Sequence, residues 1–80
     1  MVRPIRVYRY GKTPQNYLVS FTTKIKSRVC ILAHREDDPE KKLTPFFETH
    51  IGHGEFEYCE IDEKEILDEL YRRFRESKAD

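Results

Sequence analysis

Several features are missing from the sequence, and each absence excludes a class of protein. There is no run of about 18 apolar residues, the length that a transmembrane helix requires, so we expect no membrane partner. Met1 leads into a charged, alternating segment and not into the apolar stretch of a signal peptide, which favours a cytoplasmic location. Two cysteines are too few for a disulfide scaffold. Cys30 and Cys59 are most simply interpreted as reduced, buried thiols.

Side-chain amides are also nearly absent. Gln15 and Asn16 are the only two in 80 residues, whereas Asp, Glu, Lys and Arg make up 38% of the chain. Many charges with few thermolabile amides are a thermophile-like composition. In a hyperthermophile, an intracellular disulfide between Cys30 and Cys59 would be compatible with this composition.

Acidic residues are missing from the first 35 positions, and this is the strongest signal in the sequence. Residues 1–35 contain eight Lys or Arg and no Asp or Glu. Residues 36–80 contain all fifteen carboxylates and seven Lys or Arg, so the two parts carry net charges of +8 and −8. Such an asymmetry indicates either a face that binds a polyanion or two parts that neutralise each other on folding.

A chain of 80 residues forms a single domain with one modest core. It leaves little room for a deep, enclosed active site, so a binding face or a shallow groove is the more natural place for function. Gly11-Lys12-Thr13 resembles the end of a P-loop but lacks its upstream glycine and its following helix. We therefore expect no cofactor. The sequence does not decide whether the protein is an enzyme, but it favours a non-catalytic role.

The first part of the chain predicts three antiparallel strands. Residues 5–10, 17–22 and 28–34 have strand periodicity and short connections, which predicts a meander. In the second strand, strict alternation places three side chains on one face: Tyr17, Val19 and Phe21.

Residues 46–51 and 54–59 predict a hairpin around a Gly52-His53 turn of type II′. Its predicted apolar face carries Phe47, Thr49, Ile51, Phe56 and Tyr58. Its predicted polar face carries Glu48, His50, Glu55, Glu57 and Cys59. In this register Glu48 lies opposite Glu57, and His50 lies opposite Glu55.

The C-terminal segment has the clearest helical pattern. Asp62 is the predicted N-cap, Glu65 completes a capping box, and Ile61 and Ile66 occupy the positions of a hydrophobic staple. The apolar stripe that follows comprises Ile66, Leu67, Leu70, Tyr71 and Phe74.

On the surface of this helix, Asp68 is predicted to pair with Arg72, and Glu69 with Arg73. The predicted fold class is therefore α+β. It consists of an antiparallel sheet of about five strands, curled or forming a small open barrel, with one C-terminal amphipathic helix packed on it.

The basic N-terminal strands interleave cations with tyrosines. Phosphates attract cations, and exposed bases stack on flat aromatic side chains. We therefore predict a small non-catalytic protein that binds DNA or RNA through this meander. The residues assigned to the nucleic-acid-binding face are Arg6, Tyr8, Arg9, Tyr10, Lys24, Lys26 and Arg28. The opposing interpretation is that the tyrosines pack inside and the arginines pair with carboxylates of the same chain.

Two other functions stay open. The domain could dock on another protein as an adaptor or inhibitor, and a sheet edge could pair with a second copy to form a homodimer. A metal-dependent site on the acidic hairpin would use Glu48, His50, Glu55 and Glu57, because carboxylates and an imidazole suit Mg²⁺ or Mn²⁺.

Overall fold

Five strands are followed by one helix in this computed structural model, which describes residues 3–9 and 11–78. The elements are β1 (Arg3–Val7), β2 (Gln15–Ile25), β3 (Arg28–Arg35), β4 (Thr44–Gly52), β5 (Glu55–Glu60) and α1 (Lys64–Lys78). The strands pair antiparallel in the order β1-β2-β3-β4-β5, so the sheet is a meander. The predicted α+β class is confirmed. Tyr10, which the first predicted strand included, lies outside the described residues.

One face of the sheet is buried by the curvature of the sheet itself. The strands curl into a half-barrel, as the natural twist of β-strands permits. No described residue of α1 belongs to the apolar cluster on this inner face, so the curl is what excludes water from it. Tyr17 and Phe46 meet edge to face at its centre, with ring centroids 5.1 Å apart. The inner cluster comprises Ile5, Val7, Tyr17, Val19, Ile31, Ala33 and Phe46.

The other face of the sheet is covered by α1. Ile66 and Leu70 are its buried residues, and they pack into a second cluster with Cys30, Leu32 and Phe47 of the sheet. The remaining positions of the predicted stripe, Leu67, Tyr71 and Phe74, border the same cluster, so the stripe is confirmed. Among the described residues, no helix combines the length and the apolar character needed to cross a membrane.

The helix begins one residue later than predicted. The amide of Leu67 donates to the carbonyl of Glu63 at 2.9 Å, so Glu63 takes the N-cap position that was assigned to Asp62. The amide of Ile61 donates to the carbonyl of Pro45 at 3.1 Å, which holds the segment before the helix against β4. Asp62 and Glu63 connect this segment to Lys64, the first residue of α1.

A β-bulge makes β2 change faces in its middle. Val19 pairs with Ala33, but Phe21 pairs with Leu32, so Ser20 is an extra residue between them. Val19 therefore points to the inner face, whereas Phe21 points to α1, where its ring lies 5.6 Å from that of Phe74. The prediction that Phe21 shares a face with Tyr17 and Val19 is wrong for this reason.

The β4–β5 hairpin turns one residue later than predicted. Its loop is His53-Gly54, and both residues have left-handed backbone angles, with φ of 51° and 76°. That pattern belongs to a type I′ turn, which matches the twist of the two strands and favours glycine at its second position. The predicted II′ turn at Gly52-His53 is therefore wrong.

A turn one residue later would by itself move the partner of each β4 residue by two positions along β5. The extra residue Ile51, between His50 and Gly52, takes one position back, so the net shift of the hairpin register is one residue. The observed pairs are Glu48 with Tyr58, Thr49 with Glu57, and His50 with Phe56. The predicted separation into an apolar and a polar face is therefore also wrong. Tyr58 and Phe56 share a face with Glu48 and His50. In addition, Phe46 and Phe47 are both buried, one on each side of a sheet that is covered on both faces. Alternation along β4 consequently does not distinguish core from solvent.

The two cysteines are free, and only Cys30 is buried; Cys59 is exposed, contrary to the expectation of two buried thiols. Burial raises the pKa of the Cys30 thiol. The two residues lie on β3 and β5, on either side of Phe47 in β4. Two strand spacings, about 9.6 Å, separate their backbones. A disulfide needs Cα atoms within about 7 Å, so this fold does not permit one.

Glu69 organises the contact between α1 and the end of β2. Its carboxylate accepts hydrogen bonds from Arg72 and Arg73, so the predicted Glu69–Arg73 pair is confirmed. Arg73 also donates to the Thr23 hydroxyl at 3.0 Å and to the Lys24 carbonyl at 2.7 Å. Arg72, and after it Arg73, lower the pKa of Glu69 to about 2.

We expect Glu69→Gln to destabilise the protein at neutral pH and to have a smaller effect as the pH falls. The folded pKa of about 2 lies below the ordinary value of 4.5, so the unfolded chain binds this proton first. The stabilisation is complete above about pH 4.5 and is lost as the pH falls toward 2. Free energies of unfolding, measured by urea titration across this range, test the prediction.

The matched control for this experiment is Asp68→Asn. The sequence predicted an Asp68–Arg72 pair, but Arg72 contacts Glu69 and Glu76 instead. Asp68→Asn should therefore change the free energy of unfolding little at any pH. An effect as large as that of Glu69→Gln would show that Glu69 is not the centre of this network.

Candidate functional site at the edges of the sheet

Most cations of the first 35 positions are paired with carboxylates of the acidic part. All eight lie in the described residues, and five of them form ion pairs within 4.0 Å. Such exposed pairs contribute little to stability, but each one cancels positive charge locally. The +8 and −8 parts therefore neutralise each other over much of their contact. The pairs are Arg3–Glu48, Arg9–Glu60, Lys26–Glu65, Arg28–Glu63 and Arg35–Asp37.

The residues predicted to bind nucleic acid fall into two groups. Arg6, Tyr8 and Arg9 lie in or just after β1, whereas Lys24, Lys26 and Arg28 surround the β2–β3 turn. The two groups sit at opposite ends of β2. Asn16, which is opposite Arg6, precedes Lys24 by eight residues, about 26 Å along an extended strand.

Several of these side chains already have partners. The Arg28 guanidinium lies 3.5 Å from the centre of the Phe47 ring, beside Glu63. Arg9 lies 3.4 Å from the Tyr17 hydroxyl and 3.6 Å from Glu60. Arg6 donates to the side chain of Asn16 at 3.4 Å and is exposed, as are Tyr8 and Lys24. Tyr10 lies outside the described residues.

The four hairpin residues considered for a metal site do not converge. Glu48 pairs with Tyr58 and His50 with Phe56, whereas Glu57 pairs with Thr49 and points to the other face. The predicted opposition of Glu48 to Glu57 and of His50 to Glu55 is therefore wrong. In the part of the chain that the structure describes, no three His, Cys, Asp or Glu side chains are grouped to hold a metal ion.

Glu48 links the two edges of the half-barrel through side chains. Its Oε2 accepts hydrogen bonds from Arg3 on β1 at 2.7 Å and from the Tyr58 hydroxyl on β5 at 2.8 Å. The Glu48 side chain is only 11% exposed. Burial, together with the hydrogen bond to Glu48 and the charge of Glu48, raises the pKa of Tyr58 to about 12. In the part of the chain that the structure describes, the sheet itself stays open here, because β1 pairs only with β2, and β5 only with β4.

An open groove of about 760 Å³ runs between these two strands, and we call it the edge groove. Residues 3–6 and 8 border it on one side, and residues 51 and 55–59 on the other. Neighbouring side chains of a strand point to opposite faces. Because consecutive residues border the same space, the groove lies along the free backbone edges of β1 and β5 and not on one face of either strand.

The edge groove gathers the large apolar side chains that folding leaves exposed. In the described chain these are Tyr8, Ile51 and Phe56, which are 66%, 55% and 43% exposed, and all three border the groove. The charges around them differ in sign, with Arg6 on β1 and Glu57 on β5. Exposed apolar side chains collected in one place are typical of a binding surface.

Sequence reasoning missed this groove because it placed Ile51 and Phe56 together on the apolar face of the hairpin. A register shift between His50 and Gly52 separates Ile51 from the paired residues of β4, and the one-residue shift places Phe56 opposite His50. The signal that could have revealed this is the pair of glycines around His53. Gly54 allows a type I′ turn one residue later than the predicted turn, and Gly52, with φ of 109°, lies beside the extra residue Ile51, where glycine within a strand often marks a bulge.

No protein-family model matches the chain, and neither a curated protein nor a solved structure matches it. The function is therefore inferred from the edge groove and from the distribution of charge.

We expect Glu48→Gln to lower the pKa of Tyr58 from about 12, because the Glu48 carboxylate disfavours a phenolate beside it. Burial of Tyr58 should keep its pKa above the ordinary value of 10.0. An NMR titration of the tyrosine ring carbons measures this shift. Glu60→Gln is the matched control, because Glu60 is a β5 carboxylate that pairs with Arg9. Equal Tyr58 titrations in both variants would contradict the assigned contact.

Proposed function

We propose that the protein is a non-catalytic protein-binding module, an adaptor or inhibitor, whose docking surface is the edge groove. The observation that carries this proposal is the position of Tyr8, Ile51 and Phe56. They are the exposed large apolar side chains of the described residues, and they border one groove. Aromatic side chains and arginines are the commonest energetic centres of protein interfaces, and Tyr8, Phe56 and Arg6 supply both.

The shape of the edge groove supports the same proposal. It is an open trough along two strands, with apolar side chains and a rim of arginines and glutamates. A polar rim around apolar anchors is the usual anatomy of a protein interface. The ion pairs between the two parts of the chain weigh in the same direction, because they reduce the positive charge available to a polyanion.

A library of random peptides displayed on phage tests the proposal. We expect selected peptides to bind the wild-type protein and to lose at least about tenfold in affinity for Phe56→Ala, as truncation of an interface anchor does. Fluorescence anisotropy of the synthesised peptides measures the affinity, and circular dichroism checks that the variant stays folded.

Charge variants locate the binding surface in the same experiment. Arg6→Glu should weaken the selected peptides, whereas its matched control Arg75→Glu, an exposed arginine on α1, should not. If the library yields no binder, or if every binder is insensitive to both Phe56→Ala and Arg6→Glu, the edge groove is not a protein-docking surface.

We propose nucleic-acid binding as the second candidate function, because Arg6 and Lys24 are outside the ion pairs described above and Tyr8 is the most exposed aromatic side chain described. A base could stack on Tyr8 while Arg6 contacts a phosphate. The remaining cations would have to exchange their own carboxylates for phosphates. Exposed ion pairs are weak enough to allow this exchange at low salt.

Anisotropy titrations with labelled single-stranded and double-stranded DNA and RNA test this second candidate. If it is correct, replacing Lys24 and Lys26 by alanine weakens binding. The log–log salt slope should then fall by roughly 0.7–0.9 for each phosphate that the variant no longer neutralises. The matched control replaces Lys41 and Lys42, two exposed lysines in the β3–β4 loop. Absence of salt-dependent binding to every nucleic acid, or equal effects of the two double variants, would reject this assignment.

A further inference from the structure

We infer that the edge groove receives its partner as a sixth strand: one extended polypeptide segment that lies between β1 and β5, antiparallel to both, and closes the half-barrel. This inference rests on the proposed function and specifies how the partner binds. It follows from three features of the groove, namely the direction of its two strands, their free edges and the chemistry on each side.

The number of strands fixes the direction of the occupant. In an antiparallel meander of five strands the first and the last run in the same direction. Direct closure would therefore make β1 and β5 a parallel pair inside an otherwise antiparallel sheet. One additional strand running the opposite way is antiparallel to both neighbours, so a single inserted segment continues the existing pattern on both sides.

Both edges present backbone groups to this segment. Among residues 3–9 and 11–78, β1 is hydrogen-bonded only to β2, and β5 only to β4, so each has one free edge facing the groove. The segment would pair with the five residues of β1 and the six residues of β5. At about 3.3 Å per residue, five to six paired residues occupy roughly 17–20 Å.

The two faces of the sheet define the side chains of the segment. Its inward side chains would lie between Ile5 on β1 and Phe56 and Tyr58 on β5, which requires apolar residues. Near Arg3 the inward position has to be small or polar, because the Arg3–Glu48 pair occupies the interior there.

The outward side chains of the segment would lie between a basic and an acidic strand. Arg6 faces outward from β1, and Glu55 and Glu57 border the groove on β5. Charges opposite across strands stabilise a sheet, whereas like charges destabilise it. The partner that fits is thus an extended segment with apolar residues at alternate positions and both acidic and basic residues between them.

A second copy of this chain does not fit the same space. Its edge strands are each hydrogen-bonded to a neighbour along one side, β1 to β2 and β5 to β4. Such a strand has one free edge and cannot pair with both β1 and β5 of another molecule. A segment with two free edges is needed, and this points to an extended or unfolded stretch of a different protein.

The test modifies the backbone of the peptide and leaves the protein unchanged, so a loss of affinity cannot result from misfolding of the protein. The probes are the peptides that the phage selection yields and that Phe56→Ala weakens. Each is synthesised unmodified, N-methylated at its odd positions, or N-methylated at its even positions. In an inserted strand the two sets of N–H groups point to opposite edges, one toward β1 and the other toward β5. We expect each methylated form to bind at least about tenfold more weakly than the unmodified peptide.

Amide hydrogen exchange supplies the second measurement. The unmodified peptide should slow exchange at free-edge amides of both Arg3–Val7 and Glu55–Glu60, whereas the central strand β3 should change little. Peptides that depend on Phe56 but tolerate both methylation patterns, or that lose affinity with only one pattern, would overturn strand insertion and leave the protein-binding proposal intact. A library that yields no binder, or only binders insensitive to both Phe56→Ala and Arg6→Glu, would instead remove the proposed function itself.

Discussion

Phe46 and Phe47 stand next to each other in β4, and their rings point to opposite faces of the sheet. Two neighbouring buried aromatic side chains require the sheet to be covered on both sides. The described part of the chain has one helix to do this, and α1 covers the Phe47 side. The Phe46 side is instead closed by the curvature of the strands around Tyr17 and Ile31. The half-barrel therefore follows from the need to bury both faces with a single helix.

Curvature brings β1 and β5 toward each other without joining them. Their approach creates the Arg3–Glu48–Tyr58 contact, in which a nearly buried carboxylate receives a donor from each edge. It also creates the edge groove, where Tyr8, Ile51 and Phe56 stay exposed. The same curvature thus produces a side-chain contact between the two edge strands and leaves the backbone edges of β1 and β5 unpaired in the described structure. Because the number of strands is odd, the two free edges run parallel, and the meander cannot close on itself as an antiparallel barrel.

The opposite charges of the two parts of the chain have a structural explanation. Ion pairs connect the basic strands to β4, to β5 and to the start of α1. Arg28 also covers the Phe47 ring at the border of the helix-side cluster. These contacts account for much of the asymmetry without an external polyanion. Because these cations are already paired, the basic strands are a weaker candidate for the binding surface than the edge groove.

Local physical chemistry could be read from the sequence. The spacing of Ile66, Leu70 and Phe74 determined the helix, and alternation with short loops determined a five-stranded antiparallel meander. Predictions of which face a side chain occupies failed wherever one extra residue shifts the pairing between neighbouring strands. The extra residues Ser20 in β2 and Ile51 in β4 each moved side chains to the other face.

Only the tertiary structure decided which cations meet which carboxylates and where apolar side chains stay exposed. Arg3 and Glu48 are 45 positions apart, so no local pattern indicates their contact. The edge groove likewise depends on residues 3–8 and 51–59 coming together. Periodicity describes one element at a time, whereas ion pairs and grooves arise from how elements far apart in the chain pack against each other.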